Sequence, residues 1–305
     1  MLTCWYCWKW TASPPVTAAI SWAGRRERGK AIPMIGSLRL AIRLASFILF
    51  LAAIAVLALA LRAGDIVTGK KLDRTPWAGR CFRGACRCLG LHIRWHGRTP
   101  QANSLVVSNH ISWCDIPILG GLAPVRFLSK AEVAEWPLIG WLARQAGTLF
   151  IRRGGGQARQ VKSAIRSALA SGESVLIFPE GTTSAGLTVL PFHGLLLSAA
   201  REANVMVQPA TICYRREGRP DHVAPFIGDD AFHSHLIRLL KNPASRVDVL
   251  FHEPVPTTGE LKPSELARQL QETVLDGLRR LQAGEADPAP VPVRTGAGPG
   301  LSRLR

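Results

Sequence analysis

Leu44 to Leu61 reads LASFILFLAAIAVLALAL, eighteen consecutive uncharged residues. A helix of about 20 apolar residues crosses a bilayer core, and a helix buried in a soluble domain usually keeps some polar face. The stretch is therefore expected to span a membrane or embed deeply in one. From Arg62 to Arg98 nine basic residues (Arg62, Lys70, Lys71, Arg74, Arg80, Arg83, Arg87, Arg94, Arg98) stand against Asp65 and Asp73. Positive charge beside a membrane helix stays on the cytoplasmic side, where anionic lipid also holds it. A merely solvated basic surface is the alternative.

The chain of 305 residues is long enough for one substantial core. Its formal charge of +17 favours an anionic partner, whether nucleic acid, a phospholipid surface or an acidic carrier, and does not choose among them. Residues 1–33, rich in Trp and interrupted by Pro14 and Pro15, read as a start-site extension or a disordered arm. Residues 34–62 form the membrane-associated helix and 63–98 a basic membrane-proximal segment. Residues 99–283 carry the folded domain, and 284–305, small and Pro-rich, read as a disordered tail. The seven cysteines are an odd set for disulfides, and Cys81, Cys86 and Cys88 lack the paired spacing of a zinc site. His233 and His235 form an H-x-H pair with no cysteine nearby, and no metal is expected there.

Within 99–283, short β-branched runs read as buried strands: SLVVS (Ser104 to Ser108), SVLIF (Ser174 to Phe178), VMVQPATI (Val205 to Ile212) and RVDVLF (Arg246 to Phe251). Val161, Ala164, Ile165, Ala168 and Leu169 follow helical spacing before Gly172, and Leu266, Leu270, Val274, Leu278 and Leu281 form a stripe on a last helix from about Ser264 to Gln282. Strands alternating with helices imply an α/β fold: a mixed, mostly parallel sheet covered by helices, preceded by the hydrophobic anchor. Such a sheet presents its chemistry at loops beyond the strand ends.

One such loop follows SLVVS and contains His110 and Asp115. Five residues of α-helix rotate by about 140°, so the two would diverge on a continuous helix. A loop running into a helix start, with Pro117 in the first turn, brings them together. A carboxylate on Nδ1–H fixes the imidazole tautomer and leaves Nε2 to take a proton, which makes a general base. A structural loop hydrogen bond is the plainer reading. No G-x-S-x-G elbow supplies a nucleophile, since TTSAG (Thr182 to Gly186) has Thr where the first Gly belongs, so the activated hydroxyl is expected on a substrate.

NHISWCD (Asn109 to Asp115) resembles the N-H-x4-D signature of the glycerophospholipid acyltransferase family, the 1-acyl-glycerol-3-phosphate acyltransferases and their relatives. GTLFIRR (Gly147 to Arg153), FPEGTTS (Phe178 to Ser184) and VQPATI (Val207 to Ile212) resemble its further blocks in order. The resemblance implies His110 as base, Asp115 as its orienting partner and Arg153 as a contact to an acceptor phosphate. Glu180, Gly181 and Thr182 would line the acceptor pocket, with Lys130 a weaker member of the same basic site. The residue chemistry agrees: Arg153 offers a planar cationic fork to phosphate oxygens, and Gly181 permits close backbone approach to a ligand. Read without the resemblance, Arg152 and Arg153 suit a surface before the GGG at Gly154 to Gly156, Glu180 suits a helix cap, and His193 suits polar support.

The implied reaction moves a fatty acyl group from acyl-CoA or acyl carrier protein to a lysophospholipid hydroxyl, with no other cofactor. The expected conversion is 1-acyl-sn-glycerol-3-phosphate to phosphatidate, at the cytoplasmic face of the inner membrane. Many phosphatidate-forming members carry Arg after FPEGT, whereas Thr183 stands here, a form shared by relatives that acylate lyso-ornithine lipid; that acceptor, or another lysolipid, is the alternative. A membrane-tethered nucleotide or nucleic-acid binder is a reading of another class, resting on the charge and on GDIVTGKK (Gly64 to Lys71). That string nearly matches a phosphate-binding loop but has Lys71 where Ser or Thr would hold magnesium, and no strand precedes it. No nucleic-acid partner is expected.

Overall fold

The computed structural model describes residues 32–136, 138–151, 157–257 and 262–285; the N-terminal arm up to residue 31 and the tail after residue 285 lie outside them. The chain opens with α1 (Ile32–Thr68), which absorbs the apolar stretch into 37 residues, about 55 Å at 1.5 Å per residue. Gly64 to Thr68 belong to its last turns, so the phosphate-loop look-alike lies largely on a helix whose N–H groups are already bonded within it.

Helix α2 (Thr75–Leu89) folds back along α1, with Pro76 in its first turn and Gly90, at φ 74°, ending it in the left-handed conformation. The two helices approach closely: a Cβ on Gly84 would collide with the Phe50 ring, and the Arg43 guanidinium lies against Gly90. Arg43 Nη1 also donates to the carbonyls of Leu240 and Asn242, at 3.3 and 2.8 Å, and Arg39 to that of Lys241 at 3.1 Å. The start of α1 is thus fastened to the folded domain by two cations set against a helix C-terminus.

The remaining elements are β1 (Leu91–His96), β2 (Ser104–Ser108), α3 (Asp115–Leu122), β3 (Val125–Lys130), α4 (Ala131–Ala134), α5 (Ile139–Gln145), β4 (Leu149–Ile151), α6 (Gln157–Ala170), β5 (Ser174–Ile177), α7 (Ser198–Glu202), β6 (Met206–Arg216), β7 (Arg219–Pro220), α8 (Phe232–Lys241), β8 (Ser245–Phe251) and α9 (Pro263–Ala283). The strands form one sheet in the order β1-β8-β6-β2-β5-β3-β4, with β7 paired to β6. All pairings are parallel except β6 with β8 and β6 with β7, which is the mixed, mostly parallel sheet expected. The segment 63–98 contains α2 and the edge strand β1, so the sheet begins before residue 99.

Alternation along the strands divides the core. Val106, Leu176 and Phe178 face α2, α3 and α8, while Leu105, Val107, Val175 and Ile177 face α6 and α9. The α9 stripe Leu266, Leu270, Val274, Leu278 and Leu281 is buried throughout, roughly 1.5–3 kcal/mol of transfer free energy for each side chain. Glu265 at its N-terminus accepts from the Lys262 N–H, and Gly284 ends it.

Candidate active site

Strand β2 ends at Ser108, but its neighbour β6 continues, and the Asn109 side chain takes over the pairing. Its Nδ2 donates to the Ile212 carbonyl at 3.0 Å, and its Oδ1 accepts the Ile212 N–H at 2.8 Å. An amide has the donor and acceptor of a peptide group, so it can stand in for one more strand residue. The chain is then free to turn across the carboxyl end of the sheet, which places His110.

Every backbone direction of that turn is fixed. His110 N–H donates to Glu180 Oε1 at 2.9 Å, and its carbonyl accepts from Ser184 N–H at 2.8 Å. The Ile111 carbonyl accepts from Phe226 N–H at 2.9 Å. Trp113 Nε1 donates to His235 Nδ1 at 3.0 Å, and His235 Nε2 donates in turn towards the Ala224 carbonyl at 3.1 Å. His235, the second member of the H-x-H pair, is thus a buried prop for this loop, its acidity raised mainly by burial.

Asp115 opens α3, and its Oδ2 gathers three donors: His110 Nδ1 at 2.8 Å, Ile111 N–H at 2.7 Å and Ser112 N–H at 3.0 Å. Its Oδ1 accepts the Tyr214 hydroxyl at 2.5 Å. With donors on both oxygens the carboxyl acts as an acceptor, so the histidine proton resides on Nδ1 and the lone pair on Nε2. The imidazole is stacked on Phe178, centroids 3.9 Å apart and planes 11° from parallel, which holds its rotation as well as its tautomer. Both His110 and Asp115 are buried.

The other expected site residues divide. Glu180 turns onto the loop: Oε1 accepts from His110 N–H, and Oε2 from Leu190 N–H at 3.2 Å. It neither caps a helix nor borders the cavity beside it. Burial pushes its carboxyl up to about 8, against the pull of those two N–H donors and with the nearby Asp115 charge adding to the rise. Gly181, at φ 69°, makes the tight turn after β5 and lines a cavity of about 240 Å³ with Leu128, Ile177, Phe178, His193 and Leu196. Thr182 is half-buried beside it. Lys130 ends β3 opposite Ile151, and only its backbone is described; Arg153 lies outside the described residues.

An oriented imidazole stacked on a residue that lines an apolar cavity is compatible with the acylation of a substrate hydroxyl, and comparison with known proteins decides the family. Residues 92–213 match the family model described as Acyltransferase. A lyso-ornithine lipid O-acyltransferase from Pseudomonas aeruginosa is 50% identical over 206 residues, 66% of this chain and 80% of that protein. The chain belongs to the lysophospholipid acyltransferase family. A 1-acyl-sn-glycerol-3-phosphate acyltransferase from Neisseria meningitidis is 30% identical over 210 residues, 67% of this chain and 80% of that protein. The crystal structure of the 1-acyl-sn-glycerophosphate (LPA) acyltransferase PlsC from Thermotoga maritima superposes with a TM-score of 0.58 at 25% identity, covering 80% of this chain and 98% of that one.

Two contacts of this acyltransferase escape a reading of its sequence. Tyr214 lies 99 residues from Asp115, two positions past the end of the strand expected from the sequence, VMVQPATI. The Trp113 and His235 pair spans 122 residues. Neither has a local spacing signal; both become visible only when β6 and α8 pack against the histidine loop.

Proposed function

We propose that the protein transfers a fatty acyl group directly from an acyl thioester, acyl-CoA or acyl carrier protein, to the hydroxyl of a lysolipid, with His110 as general base. The supporting observation is the imidazole held by Asp115 through Nδ1, with Nε2 as the proton-accepting atom. As Nε2 takes the proton, the acceptor oxygen attacks the thioester carbonyl, and collapse of the tetrahedral adduct expels the thiolate, which recovers the proton from the imidazolium. Asp115 stabilises the imidazolium in between. No acyl-enzyme and no further cofactor are needed. Both donors are anionic, which suits a chain of +17. Arg153 and Lys130 remain the cations assigned to the acceptor or donor headgroup.

The acceptor we assign is lyso-ornithine lipid rather than 1-acyl-sn-glycerol-3-phosphate. Thr183 stands where many phosphatidate-forming members carry an arginine, one possible phosphate contact; it is buried, and its hydroxyl donates to the Phe226 carbonyl. A threonine hydroxyl held in this way puts no cation at that position for a phosphate. The relative with 50% identity carries the lyso-ornithine name, in agreement. The full chain in phospholipid vesicles, given labelled acyl thioester and a panel of lysolipids with products identified by mass, tests this. Lyso-ornithine lipid is expected to be used about tenfold or more faster than 1-acyl-sn-glycerol-3-phosphate; the reverse order contradicts the assignment.

The membrane mode follows from the helical hairpin. Among the described residues α1 is the helix long and apolar enough to cross a bilayer, and only 6% of its most apolar window is buried in the protein, unlike a core helix. Arg80, Arg83 and Arg87 are exposed on α2, which runs alongside it. An upright α1 would carry these guanidinium groups to membrane depth, at roughly 2.5–3.5 kcal/mol or more each. The hairpin instead lies along one leaflet, with Leu38, Ile42, Ile48, Leu49, Val56 and Leu59 of α1 in the acyl region. The basic residues of 63–98 then meet anionic headgroups on the cytoplasmic side of the inner membrane.

A further inference from the structure

We infer that Tyr214 is a positioning residue for the reaction: its hydroxyl, bonded to Asp115 Oδ1 at 2.5 Å, locks the carboxylate so that Oδ2 stays on His110 Nδ1. This rests on the general-base reading of His110 and deepens it.

The two oxygens of Asp115 have different work. Oδ2 takes the imidazole and two backbone N–H groups, all from the loop that Asp115 itself closes. Those contacts are local, within five residues, and hold the carboxylate to the loop without tying it directly to the sheet. Oδ1 is bonded to a side chain from a central strand. Tyr214 is paired through its backbone with Val247 of β8, and its side chain is buried in the same core as Ile212 and Val247. Its bond ties the carboxylate itself directly to a central strand, while the Asn109 amide ties the start of the loop to the same strand two residues away.

The hydroxyl also sets how strongly the carboxylate attracts a proton. A donor on Oδ1 draws electron density from the group, keeping the proton on the imidazole when it becomes imidazolium. Tyr214 is suited to this constant role because burial, and then the Asp115 charge, push its own acidity far from the working range, so that it stays a donor. The other titratable groups around the pair are Cys114 on the loop and Cys86 on α2, both thiols raised by burial, the latter to about 12. Beyond them lie Glu180, at about 8, and Asp221, which is paired with Arg216 at 2.9 Å. None of these loses a proton on the acidic side of neutrality except Asp221, which burial would raise but its arginine partner and backbone donors hold below the usual carboxylate range.

The test is Tyr214→Phe, which removes one oxygen and keeps the ring, in the full chain on vesicles. We expect kcat to fall roughly tenfold to thirtyfold with the acceptor KM within about twofold, the size of a lost hydrogen bond to a charge. The acidic limb of kcat/KM against pH is expected to move up by about half a pH unit or more, because the unrestrained carboxylate favours the imidazolium. In an Asp115→Asn background the same substitution should have little further effect, since it acts through that carboxylate. A uniform loss at every pH that adds fully to Asp115→Asn overturns the inference, as does an unchanged rate and profile. Any fall in folded fraction is read from the melting curve, and the double-variant comparison, made at matched folded concentration, then decides between the two outcomes. Full activity of His110→Ala would instead sink the general-base reading itself.

Discussion

The histidine loop and the apolar helix α1 are built on opposite terms. Between Asn109 and Asp115 nearly every polar group has a partner inside the protein, and the residues are buried. Along α1 most side chains are apolar and face outward, with Met34, Leu49, Ile66 and Val67 more than half exposed. The first region is completed by the fold; the second is left uncovered by it, and in the proposed reading lipid completes it. A reaction between a membrane-borne acceptor and a water-borne donor needs both, a base whose geometry does not depend on its surroundings and a surface whose burial does.

The two regions should therefore fail separately. Asp115→Asn strikes the self-contained one: an amide reverses one donor and favours the wrong imidazole tautomer, so turnover should drop by about 10³-fold to 10⁴-fold while vesicle binding is retained. A loss of binding in step with activity would show that the loop and the membrane surface are not separate. The paired change Ile48→Asp with Val56→Asp strikes the other region. Co-sedimentation with anionic vesicles should weaken about a hundredfold, with the melting temperature of the soluble fraction little changed because both sites are exposed.

A smaller effect sharpens the contrast within the loop itself. The Glu180 carboxyl is raised from an ordinary 4.5 to about 8, chiefly by burial. Between those values the native state holds a proton that the unfolded chain has released, so stability falls as pH rises through the window and levels off above it. Glu180→Gln has no such titration. Unfolding curves of the two proteins should therefore diverge by on the order of 5 kcal/mol between acid and mildly alkaline pH, the wild type losing ground as pH rises. Parallel curves would show that Glu180 is solvated.

The contrast also explains what the sequence reveals. The strands SLVVS and SVLI and the α9 stripe are legible because burial on a sheet or against it demands a regular apolar period. His110 and Asp115 are legible because a turn between a strand and a helix start is local geometry. Tyr214 is hidden because β6 extends to Arg216, past the strand expected to end at Ile212, once its pairing passes from β2 to β8, and because its partner Asp115 is 99 residues away. Strand β1 is hidden for a related reason: as an edge strand it exposes His92, Arg94 and Trp95, and its charges merge with the basic segment before it. Glu180 is partly legible: a carboxylate beside a glycine turn reads as a ligand contact, while the two backbone N–H groups it accepts come from outside that turn and show only in the fold.

The most direct measurement is the rate at which His110→Ala, reconstituted in vesicles at the same folded concentration as the wild type, acylates lyso-ornithine lipid from a labelled thioester. A base whose Nε2 accepts the acceptor's proton predicts a loss of about 10²-fold to 10⁴-fold with membrane binding intact. Turnover within about twofold of the wild type would contradict it.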